Sequence, residues 1–224
     1  MNNHVLTIFI DHFLYTNTSN TKSMLTNFSC SITQSGLYII QGKNGRGKST
    51  LFSLLAGDTF ANASYAGTIT YNKNQYQLTD KMYKTFAHKT IRTVAQTFDH
   101  MLVPTYTALE NYAFTKIAHY PTYQPLKPIN TIPELLHECN IPLHTPIEQL
   151  SGGQRQIVAI IMTLQSQASL LLLDEPTASL DEENTHLVMR FLQHLCTIRT
   201  ITILMICHDT SLLSYSKHKP FVIH

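Results

Sequence analysis

The chain has 224 residues, 43% of them hydrophobic, enough for one sizeable buried core and too much for a disordered or collagen-like chain. Charged residues are only 13%, and 16 basic against 14 acidic residues leave a formal charge of +2, a balance that offers nucleic acid no electrostatic footprint. No apolar run nears the ~18 residues of a membrane span, the first residues lack the pattern of an export signal, and the four cysteines form no C-x-x-C pair; a cytoplasmic chain with free thiols is expected.

Taken in order, VLTIFI near the start reads as a strand, and the polar stretch 16–23 as a loop or hairpin end. LYIIQ (37–41) is a short apolar run bounded by glycine, the pattern of a buried strand. Thr50 to Ala56 reads as a helix stopped by Gly57. GTITYNKNQYQL, from Gly67, reads as a hairpin turning at Asn72-Lys73-Asn74. Residues 97–149 hold most of the prolines and short helical pieces, Thr107 to Ile117 and Pro133 to Cys139, and read as an inserted helical subdomain within a single domain spanning 1–224. Ser151 can cap a largely buried helix running to about Gln167. SLLLLD (169–174) is an apolar strand, Asp181 to Ile198 a helix with an acidic first turn, and ITILMIC (201–207) and FVIH are further strands. Strands alternating with helices imply an α/β fold with a mostly parallel sheet.

Residues 42–50, GKNGRGKST, fit G-x-x-x-x-G-K-[ST] and lie between a predicted strand and a predicted helix, the context this phosphate-binding loop requires. Its glycines let backbone N–H groups turn inward around phosphate oxygens. Lys48 can bring an ammonium to the β- and γ-phosphates, and the Ser49 hydroxyl can ligate Mg²⁺. LLLLDEP then ends a strand in two carboxylates. Adjacent strand residues point to opposite faces, so Asp174 and Glu175 share a site only if the strand stops there. Asp174 is assigned to the metal and Glu175 to the general base or the positioning of water. LSGGQ (150–154) opens another helix with a second anion-binding N-terminus. One nucleotide does not need two such sites from one chain, so two chains lending this loop to each other is the expectation. His208 follows a buried strand, at the sheet edge where open α/β folds bind ligands.

GKNGRGKST, Gln96, LSGGQRQ, LLLLDEP, ASLD and His208 occur in the order and rough spacing of the ATP-binding subunits of ABC transporters, and over essentially its whole length the chain resembles that family. The resemblance implies a P-loop NTPase of ABC ATPase type, with a mostly parallel central sheet, an antiparallel β subdomain and the inserted helical subdomain. It implies that Gly42, Lys43, Asn44, Gly45, Arg46, Gly47, Lys48, Ser49 and Thr50 bind ATP, and that Ser151, Gly152, Gly153 and Gln154 bind the ATP of an opposite subunit. Gln96 is implied to touch Mg²⁺ and the attacking water, Asp181 to cross the dimer interface, and His208 to meet the γ-phosphate. Tyr15 lies where the family stacks an aromatic ring on adenine, with Phe13 as a competitor.

The cofactors implied are ATP and Mg²⁺. The partners implied are a second ATP-binding subunit, identical or not, one or more integral membrane permease subunits and an extracytoplasmic substrate-binding protein. The location implied is the cytoplasmic face of the cell membrane. GGQRQIVAIIMTL, ILMICHD and VPTYTALENY are similar to amino-acid uptake systems, which favours an importer; TALEN is also similar to lipoprotein-release subunits. A minimal subunit, without the regulatory extension of sugar and metal importers after FVIH, is the expectation. A cytosolic assembly ATPase, an exporter ATPase and a nucleotide-binding module without hydrolysis are the alternatives; Glu175 and His208 argue against the last.

Overall fold

The computed structural model describes residues 6–17, 20–119, 136, 139–164 and 168–223. Two sheets face each other. The first is antiparallel, in the order β2-β1-β4-β5, and consists of β1 (Leu6–Asn17), β2 (Asn20–Ile32), β4 (Ala63–Tyr71) and β5 (Asn74–Gln77). The second is parallel throughout, in the order β6-β7-β8-β3-β9. Its strands are β3 (Gly36–Gly42), β6 (Ile91–Val94), β7 (Leu170–Asp174), β8 (Thr202–Ile206) and β9 (Phe221–Ile223). The α-helices with both ends among the described residues are α1 (Lys48–Ala56), α2 (Lys81–Thr90), α3 (Ala108–His119), α4 (Gly152–Thr163) and α5 (Glu182–Arg199).

The central strands β7 and β8 are almost wholly apolar because both faces are covered. Leu171, Leu173, Ile203 and Met205 pack with α4 and α5. Their neighbours Leu170, Leu172, Leu204 and Ile206 pack with α1, α2 and the antiparallel sheet. Leu136, Ile141, Ile147 and Leu150 join the first of these cores, so the residues described just before α4 are anchored on the sheet.

The antiparallel sheet carries a feature the sequence pattern hides. Leu6, Ile8 and Ile10 are buried and Phe9 is exposed, but burial then switches parity to Phe13. The pairing of β1 with β4 slips between Ile10 and His12. Such a bulge moves every later side chain to the other face. The 16–23 stretch is the end of the β1–β2 hairpin, strand up to Asn17 and again from Asn20. The later hairpin turns on two residues: Asn72 and Lys73 both have positive φ, 47° and 70°, and Asn74 already pairs with Tyr71. This is the backbone of a type I′ turn, whose twist suits flanking strands.

Helix boundaries shift from those expected. α1 begins at Lys48, and Gly57 closes it in a left-handed conformation, φ 85°. α4 ends at Thr163 rather than near Gln167, and 165–167 lie outside the described residues, as does most of the helix expected over 133–139. α2 and β6 have no counterpart in the sequence reading.

Between Gln96 and α3 the chain is pegged by Asn111, which is 1% exposed. Its Oδ1 accepts the Val103 N–H at 2.7 Å, and its amide N–H groups are shared among the carbonyls of Val103, Tyr106 and Thr107. Asn111→Ala leaves these groups without partners in a dry site, so it is expected to destabilise the fold by about 2–3 kcal/mol. Denaturant unfolding measures this, as a lower midpoint at an unchanged slope.

Candidate active site

All five strands of the second sheet run the same way, so their carboxyl ends share one edge. Gly42 ends β3, Gln96 lies two residues past β6, Asp174 ends β7, and His208 lies two residues past β8. The order β6-β7-β8-β3 lays out in sequence Gln96, the two carboxylates, His208 and the 42–50 loop. This is the edge where ligands bind in open α/β sheets.

The loop itself depends on glycine at one contact above all. Gly47 has φ 88°, and a Cβ there would fall 2.5 Å from the Met24 carbonyl oxygen and 2.8 Å from Leu25 Cγ. Gly47 thus lets β2 close against the loop and leads directly into α1. Lys48 is only 6% exposed. Its Nζ donates to the carbonyls of Gly42 at 2.9 Å and Lys43 at 3.2 Å, which ties the ammonium across the loop and leaves its third N–H for an acceptor. Lys43, Asn44, Gly45 and Arg46 form the exposed rim.

At the strand end, Ser49 hydrogen-bonds the Asp174 carboxylate. Burial, with the Glu175 charge beside it, raises the Asp174 pKa; the Ser49 bond and the charges of Lys48 and His208 pull it back. A half-buried carboxylate with a hydroxyl beside it is a hard-oxygen donor set that fits Mg²⁺ with water and phosphate oxygens as the other ligands. The strand does stop at Asp174. Glu175 takes a left-handed φ of 49°, and its backbone N–H bonds the Ile206 carbonyl at 3.2 Å. The side chain then meets both remaining candidates. Oε1 lies 2.8 Å from His208 Nε2, and Oε2 accepts a long bond from Gln96 Nε2 at 3.5 Å. Beside Glu175 and His208 opens a cavity of about 870 Å³ that extends past Leu180 to Tyr215.

Ser151, Gly152, Gly153 and Gln154 form a second cluster at the start of α4. Ser151 caps the helix: its Oγ accepts the Gln154 N–H at 3.2 Å, and Gln154 Oε1 accepts the Ser151 N–H at 3.0 Å. This reciprocal capping box places the Gln154 side chain in helix initiation. Asp181 caps α5 by accepting the Asn184 N–H at 2.8 Å; the bonds from Asn184 hold its carboxyl below the usual range. Among the described residues the two clusters share no hydrogen bond or ion pair.

A family model described as "ABC transporter" matches residues 25–178, most of the chain, which takes in the 42–50 loop, Gln96, the 151–154 loop, Asp174 and Glu175 and stops before Asp181 and His208. The chain belongs to the ABC transporter family. It is an ATP-binding domain of that family. It is 32% identical to the ABC transporter ATP-binding protein MG467 of Mycoplasma genitalium, over 85% of this chain and 59% of that protein. To the methionine import ATP-binding protein MetN of Streptococcus thermophilus it is 29% identical, over 95% of this chain and 60% of that one. To the lipoprotein-releasing system ATP-binding protein LolD of Leptospira interrogans it is 31% identical, over 83% and 77%. The chain thus spans about three fifths of the length of the first two.

In this ABC domain the structure separates the two aromatic candidates. Phe13 is buried, its ring packed edge-on to Phe60 and stacked with Tyr65, so no face is left for a base. Tyr15 is 45% exposed and pairs with Lys22 of β2, the strand that closes on the phosphate loop through Met24 and Leu25. Two residues of the site escaped the sequence reading. Asp99, just past Gln96, pairs with Arg155 of α4 at 3.3 Å. Asn184, on the first turn of α5, bonds the 151–154 loop. Its spacing of three from Asp181 is a capping signal; its contact with Ser151 is not readable from local sequence.

Proposed function

We propose that the chain is the ATP-binding and hydrolysing subunit of a membrane transporter, with Glu175 as the base. The observation that carries this reading is the convergence of Lys48, Ser49–Asp174, Glu175, Gln96 and His208 on one sheet edge. The 42–50 loop and Lys48 hold the phosphates of ATP, and the exposed Tyr15 lies under adenine. Ser49 and Asp174 would hold Mg²⁺, which would supply charge neutralisation on the phosphate oxygens. Water attacks the γ-phosphorus, Glu175 accepts its proton, and the bond to the ADP oxygen breaks. His208, which pairs with Glu175 through Nε2, turns that nitrogen to the γ-phosphate. Gln96 orients the water and reports on the site to the segment that follows it.

A second anion-binding helix start at Ser151–Gln154, beside a complete phosphate loop at 42–50, supports a shared site. Ser151 and Gly153 of one copy meet the γ-phosphate held by the other, and Asp181 lies at their boundary. Two such sites close a dimer of identical or related subunits on ATP, and hydrolysis reopens it. The difference in ATP affinity between closed and open states is what does work on a partner. No helix among the described residues is long and apolar enough to cross a membrane; on this reading permease subunits provide the membrane path. Residues 97–149, as a helical subdomain of one ABC unit, offer it a docking surface at the cytoplasmic face. MetN by name imports and LolD by name releases; the similarity to amino-acid uptake systems favours import, with an extracytoplasmic binding protein.

Affinity purification from native membranes in mild detergent, with mass spectrometry of bound proteins, tests this. A multi-span partner is expected, and a substrate-binding protein with it marks an importer. Recovery of soluble proteins alone overturns transport coupling in favour of a cytosolic ATPase.

A further inference from the structure

On the shared-site reading above, on which this inference rests, the Ser151 hydroxyl and the Gly153 N–H are the donors that take a phosphate oxygen from the opposite subunit. In this chain both are already used by a single acceptor. Asn184 Oδ1 takes the Ser151 hydroxyl at 2.6 Å and the Gly153 N–H at 3.1 Å. The other end of the same amide donates from Nδ2 to both carboxylate oxygens of Asp181, at 2.9 Å each. These partners fix the orientation of the amide. Turned over, it would set an NH₂ against the Gly153 N–H and an oxygen against a carboxylate, both repulsive, with only the Ser151 hydroxyl able to adapt. The fit is close: a Cβ on Gly153 would fall 2.7 Å from Oδ1 and 3.0 Å from Asn184 Cβ.

The geometry points to Asn184 as a positioning residue of the shared site, one whose amide oxygen occupies the phosphate-oxygen position of the 151–154 loop until ATP on the opposite subunit displaces it. The amide oxygen is a neutral stand-in for the anion. It keeps the donors aimed and satisfied while the loop is empty, where an unpaired N–H would cost stability. A phosphate oxygen carries charge and binds the same donors more strongly, so the exchange runs forward when ATP is presented. Because Asp181 holds the far end of the amide, the displaced side chain draws on the 181 loop at the subunit boundary. Arrival of ATP at Ser151 is thereby felt by Asp181 of the same chain.

The test follows ATP-dependent dimerisation in the full chain carrying Glu175→Gln, so that hydrolysis does not blur the equilibrium. Adding Asn184→Ala removes the competing acceptor and is expected to lower the ATP concentration for half-maximal dimer about five-fold. Adding Asn184→Asp keeps an oxygen on the donors but sets a negative charge where the phosphate must come, and is expected to raise that concentration more than ten-fold. Opposite shifts support the assignment. Equal weakening by both, or no shift with Asn184→Ala, overturns it while leaving the shared site standing. A parent chain that stays monomeric at every ATP concentration overturns the shared site itself, and the assignment with it. Should Asn184→Ala fail to fold, hydrogen exchange of the Gly153 amide in the nucleotide-free parent decides: slow exchange supports the contact, and free exchange overturns it.

Discussion

Lys48→Ala lowers ATP affinity by about 10- to 100-fold, the loss expected for a charge-assisted contact of ~1.5–3 kcal/mol. The magnitude follows from where the ammonium sits. Lys48 is almost fully buried, and two of its three donors are held by the Gly42 and Lys43 carbonyls. The side chain therefore has little rotamer freedom left to lose when nucleotide binds, and its charge acts in a site that excludes much of the water. The same bonds make the change partly structural, since alanine leaves both carbonyls without the ammonium. Titration with a fluorescent ATP analogue, alongside a thermal melt, separates the two effects. A weakened Kd with an intact melt is the expected result. An unchanged Kd contradicts the assignment of the 42–50 loop.

Glu175→Gln is expected to reduce turnover by about 10²–10⁴-fold, the range of a positioned general base, while ATP binding persists. The amide keeps the size of the carboxylate, and a hydrogen bond to His208 and one to Gln96 both remain available to it. It cannot take a proton from water. The left-handed backbone at Glu175, φ 49°, is kept by either residue. Phosphate release and nucleotide retention, measured on the same sample, check both halves of this prediction. Turnover near that of the parent would move the base elsewhere and leave Glu175 as a partner of His208 only.

Much of the site was readable because its parts are local. A phosphate loop needs glycines, a lysine and a hydroxyl at fixed spacing, and an apolar strand ending in Asp174 announces its own carboxyl edge. The family resemblance supplied Gln96 and Asp181, which no local pattern singles out. What stayed hidden depends on packing between distant segments. Asn184 meets Ser151 only because α4 lies against α5, and Asp99 meets Arg155 only because the turn after Gln96 returns to α4. The edge strand β6 carries its buried residues at Ile91 and Val94, three apart, so it shows no alternation to read. The bulge at Asp11 breaks the parity of β1 with no glycine or proline in β1 itself; the glycine at this point is Gly67 of β4, paired with Ile10. Position favours Tyr15 with Phe13 as a competitor; burial of Phe13 separates them.

The most direct measurement is light scattering of the full chain carrying Glu175→Gln, with and without saturating ATP and Mg²⁺. A site completed by Ser151 and Gly153 of a second copy gives a doubled mass that appears with ATP and is lost when Lys48→Ala is added. A monomer at saturating ATP contradicts a site shared between identical chains.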